Sequence, residues 1–65
     1  MSHQDKWLKE KIMVLVKLGF DSMPEIVSEM LKYSGVYESS IRQMVWRLID
    51  RGELALTESR TIEGN

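Results

Sequence analysis

Three apolar stripes of helical period, each closed by a glycine, set the limits on what this chain can fold into. Trp7, Leu8, Ile12, Leu15, Val16 and Leu18 recur at the spacing of one helix face and stop before Gly19. Ile26, Val27, Met30 and Leu31 repeat the pattern and give way to Tyr33-Ser34-Gly35. Ile41, Met44, Val45, Leu48 and Ile49 form the third stripe, which runs out at Gly52. The spacing predicts helices over about 5–18, from 22 onward, and over about 38–51.

The flanking residues sharpen these boundaries. On the first helix, Lys9, Glu10, Met13 and Lys17 fall opposite the stripe. Lys11 lies beside the stripe, where its stem can lie on apolar surface while the ammonium reaches water. Phe20 is expected to fold back onto the core. Ser22-Met23-Pro24-Glu25 has the order of a capping box, with Ser22 and Glu25 each serving the other's backbone N–H. Pro24 suits a first helical turn. Tyr37 precedes the third helix where a small capping residue is more usual, so Ser39 is the expected cap. After Gly52, residues 53–57 alternate, with Leu54 and Leu56 on the side expected to be buried. Glu58-Ser59-Arg60 is a candidate turn, and Thr61-Ile62-Glu63 a candidate returning strand.

Sixty-five residues hold one domain, expected over 1–65 with 1–4 and 63–65 frayed. Without cysteine there is neither a disulfide nor a thiolate metal site, and His3 is the only histidine. No metal or cofactor is therefore expected. No triad, paired catalytic carboxylates or glycine-rich phosphate loop is evident. A core this small is expected to leave no hollow of roughly 300 Å³ or more for a small-molecule substrate. The reading is a binding protein, not an enzyme. No run approaches the roughly 18 apolar residues of a membrane span. Gln4, Asp5 and Glu10 interrupt any signal-peptide order, so no membrane association and a cytoplasmic location are expected.

Residues 24–57 carry a resemblance. They read PEIVSEML, then KYSGV, then YESSIRQMVWRLIDRGELALT. Gly35-Val36 fits a turn between two helices. Ile41, Val45 and Leu48 fit the apolar positions of a recognition helix, and Gly52-Glu53-Leu54-Ala55-Leu56 fits its exit into a strand. At the superfamily level this resembles the winged helix-turn-helix domains. The resemblance implies a mainly α fold, a three-helix bundle with a short C-terminal β-hairpin. It implies double-stranded DNA as partner, in transcriptional regulation, with the third helix in the major groove.

On that helix the outward residues are Ser39, Ser40, Arg42, Gln43, Trp46 and Arg47. Arginine can pair with guanine and glutamine with adenine. Serines at a helix start can bond phosphate. The expected DNA contacts are Ser39, Ser40, Arg42, Gln43 and Arg47. The plain alternative for this face is that it is simply solvated.

Charge argues in the other direction. Nine Lys and Arg stand against ten Asp and Glu, a net −1, whereas nucleic-acid domains usually carry a basic surplus. The expected wing holds Glu53, Glu58 and Glu63 against Arg60. Trp46 falls toward the polar face, where it either packs under the wing or against the first helix, or anchors a partner. A protein-interaction module on the same fold, built on Tyr37 and Trp46 with Met44 near them and joining a homodimer or another protein, is the alternative reading. For RNA the sequence offers no stacking platform.

Overall fold

A computed structural model describes residues 3–64, with side chains from residue 5 onward. Residues 1, 2 and 65 of the termini expected to fray lie outside the described residues. The chain forms α1 (His3–Lys17), α2 (Met23–Met30), α3 (Glu38–Asp50), β1 (Leu54–Leu56) and β2 (Ile62–Gly64). The fold is mainly helical, three helices followed by an antiparallel hairpin. The register places Leu54 opposite Gly64, Ala55 opposite Glu63 and Leu56 opposite Ile62. Glu63 and Gly64 are thus paired in a strand, where the sequence reading had the tail fray.

One core joins the elements. Leu8 and Ile12 of α1, Ile26, Val27 and Met30 of α2, and Ile41, Met44, Val45 and Leu48 of α3 are buried together. Leu54 and Ile62 close this cluster from the hairpin. Trp7, Leu15, Val16 and Ile49 pack around it as the stripes predict, Phe20 folds back onto it as expected, and Val36 joins them. The hairpin is also tied by backbone, since the Ile62 N–H donates to the Asp21 carbonyl in the α1–α2 connection.

Four apolar positions differ from the sequence expectation. Met13 is half-buried and packs on the core because β2 covers that side of α1. Leu18 is 69% exposed. Its N–H is shared between the Val14 and Leu15 carbonyls as the helix ends, and the chain then turns through Gly19, so Leu18 leaves the stripe. Leu31 caps α2 and is exposed, because the chain bends away at that point. Leu56 shares a face with Leu54 but stands about 7 Å further along the strand, near the turn, and is exposed.

Both expected caps are corrected. Ser22 is the N-cap of α2 with extended backbone, yet its side chain makes no cap hydrogen bond. The Glu25 side chain is exposed, and the capping box does not close. For α3 the N-cap is Tyr37, also without a side-chain bond, and Ser39 lies inside the first turn.

Candidate nucleic-acid interface

The outer face of α3 follows from which side is inward. Successive helix residues advance by about 100°. Ile41, Met44, Val45 and Leu48 are buried and define the inward direction. Ser39, Gln43, Trp46 and Asp50 then lie within about 30° of the outward direction, as one spine along the helix. All four are exposed. Arg42 and Arg47 stand about 70° to either side of that spine, on opposite flanks. Ser40 lies about 90° from the spine and is half-buried, so it faces the seam with α1 and not outward.

The flanks differ in their neighbours. The Arg42 Nε donates to Glu38 Oε2 at 2.9 Å, an exposed ion pair one helical turn apart. On the other flank, a small hollow of about 80 Å³ is lined by Asp5 and Leu8 of α1 and by Ser40, Gln43, Met44 and Arg47 of α3. A carboxylate thus accompanies each arginine. The spacing of Glu38 and Arg42 carried that signal in the sequence. The proximity of Asp5 to the Arg47 flank is tertiary and carried none. Asp50 also lies on the outward spine and is exposed.

Trp46 is 50% exposed and lies outside the buried core. Tyr37 is 70% exposed but stands nine residues before Trp46, about 13 Å along the axis. Met44, expected beside them, is buried. The three do not make one patch.

The remaining charges are dispersed. Lys9 Nζ reaches Glu53 Oε1 at 2.8 Å, and Lys11 Nζ sits 5.7 Å from the Tyr33 ring centroid. These two lysines are engaged within the fold, while Lys6 and Lys17 are exposed. In the wing, Glu58, Arg60 and Glu63 are exposed.

Two surface hollows of about 500 and 460 Å³ correct the expectation that so small a core leaves none. The larger lies at the α1–α2 corner, between Leu18, Phe20 and Pro24 on one side and Glu25, Ser28 and Glu29 on the other. Both lie away from α3's outer face. Among the described residues no helix is long and apolar enough to cross a membrane. No family model, curated protein or solved structure matches the chain.

Proposed function

We infer that this protein binds double-stranded DNA by laying α3 in the major groove, in transcriptional control. The observation that carries the reading is the arrangement of α3: a polar and aromatic spine pointing outward, with one arginine on each flank. A helix with its side chains is about 10–12 Å across, close to the ~12 Å width of the major groove. A helix lying in the groove presents its outward spine to the base edges and its flanks to the two phosphate walls. Arg42 and Arg47 suit the walls. Ser39 and Gln43 suit the floor, and Ser40 is too recessed for either. The helix–turn–helix–hairpin order supports the same docking.

The net charge of −1 and the exposed glutamates of the hairpin set the expected strength. Two flanking arginines release few counterions, so affinity for arbitrary DNA is modest and the hairpin contributes little to it. The test is an amide NMR titration with a 20-base-pair duplex at low and moderate salt. Salt-sensitive shifts are expected along 39–47. Loss of those shifts is expected in the Arg42→Ala, Arg47→Ala double variant, and an unchanged affinity in that variant would remove the proposed interface.

A second reading rests on the exposure of Trp46, since tryptophan at a surface is enriched in protein interfaces. A homodimer through this residue would sediment at twice the monomer mass and would separate on Trp46→Ala. A monomer at all concentrations would remove the homodimer.

A further inference from the structure

The positions of the α3 side chains carry a consequence for which bases are read. Arginine and lysine are the side chains that most often select guanine, through its O6 and N7. None lies on the outward spine of α3. The two arginines are displaced about 70° to the sides, and Arg42 is already held by Glu38. What the spine offers the groove floor is a carboxamide, Gln43, and next to it, three residues on, a half-exposed indole, Trp46. These two neighbours lie on one face, within one helical turn.

Each has a natural counterpart on the same base pair type. A glutamine carboxamide donates to adenine N7 and accepts from its N6 amino group. A large apolar ring on the groove floor finds its apolar partner in the thymine C5-methyl group, the one methyl that the major groove displays. The indole lies outside the buried core and leaves half its surface on the exposed face of α3. Asp50, one turn beyond Trp46 on the spine, repels phosphate and accepts only from donors, such as the cytosine amino group.

Resting on the DNA reading above, the geometry points to A·T base pairs as the preferred ligand of α3, with Gln43 reading adenine and the Trp46 ring covering an adjacent thymine methyl. Trp46 is then a specificity-determining residue and not a protein anchor. The arginines position the helix without selecting sequence.

Replacing thymine by uracil tests this directly, because it deletes the C5-methyl group and leaves the minor groove and backbone chemistry in place. Three fluorescein-labelled 20-base-pair duplexes would be compared at low salt by anisotropy: alternating A·T, the same with uracil for every thymine, and alternating G·C. Binding is expected to be tightest for the first and to weaken by about fourfold for each methyl lost from under the ring. In Trp46→Ala the difference between the thymine and uracil duplexes is expected to disappear, while Arg42→Ala lowers affinity for all three alike. Trp46 is outside the core, and circular dichroism of the variant is the check that it is folded. Equal affinity of the unaltered protein for the thymine and uracil duplexes would overturn the thymine contact and leave DNA binding standing. Failure to bind any of the three would remove the DNA reading and this inference with it.

Discussion

The rings of Trp7 and Tyr33 meet edge to face, their centroids 5.2 Å apart and their planes at 88°. This contact joins the start of α1 to the connection between α2 and α3, the segment that aims the proposed reading helix. Edge-to-face geometry directs the positive rim of one ring at the negative face of the other, and it adds about 0.5–1.5 kcal/mol beyond burial. The Lys11 ammonium near the Tyr33 ring adds a second attraction. Tyr33→Ala is therefore expected to lower stability by about 1 kcal/mol. A double-mutant cycle with Trp7→Ala in urea unfolding isolates the ring–ring part. Additive losses would mean that the two rings are neighbours without coupling.

The hairpin loop contains a strained residue that sequence can relieve. The Arg60 N–H donates to the Thr57 carbonyl, closing a turn, and Arg60 itself sits at φ 63. A left-handed residue after such a turn is the usual form of a three-residue hairpin loop, and glycine or asparagine fits it best. A side chain there costs roughly 1–2 kcal/mol. Arg60→Asn is expected to raise the melting temperature, and Gly52→Ala, at φ 80, to lower it. A Cβ at residue 52 would meet nothing within 4 Å, so the loss in that variant is backbone strain alone. If Arg60→Asn melted lower than the parent, the left-handed backbone at 60 would not be what limits the hairpin.

The three helices were legible because burial on one side of a helix leaves a 3.6-residue imprint, and the glycines mark where it stops. What escaped were features settled by tertiary contact or by one rotamer. Met13 looked solvent-facing until β2 covered it, and Leu18 looked buried because its distance along the chain fits the stripe while the helix ends one residue earlier. The Ser22 cap failed although the letters S-x-x-E are correct, because a capping box needs side-chain rotamers that no spacing dictates. At the candidate interface, sequence put Arg42, Gln43, Trp46 and Arg47 on the polar face. It did not separate the spine from the flanks, and that separation is why phosphate contacts, and not base reading, are proposed for the arginines.

Lys9 and Glu53 form an ion pair between distant elements, α1 and the approach to β1, at 2.8 Å. Their side chains are 30% and 35% exposed, so water screens the pair only in part. Removing it by Glu53→Gln is expected to cost about 0.5 kcal/mol, within the range of surface pairs, and the loss should shrink as salt is raised. Thermal unfolding at low and high salt measures both. A loss that stays constant across salt would assign the effect to packing of the Glu53 stem.

Glu38 holds Arg42, and the two roles of that carboxylate pull in opposite directions. In the first turn of α3 it favours the helix through the dipole, by about 0.3–1 kcal/mol. At a DNA surface it both repels phosphate and competes for the guanidinium. Glu38→Gln is accordingly expected to lower the stability of the free protein slightly and to raise its affinity for duplex DNA. Freeing one arginine for one phosphate should also steepen the salt dependence, by about 0.9 in the slope of log K against log salt. Anisotropy titrations over a salt series, paired with urea unfolding, read the two effects separately. A variant that bound DNA no better, with an unchanged salt slope, would show that Arg42 does not reach phosphate and that the α3 flank facing Glu38 lies outside the interface.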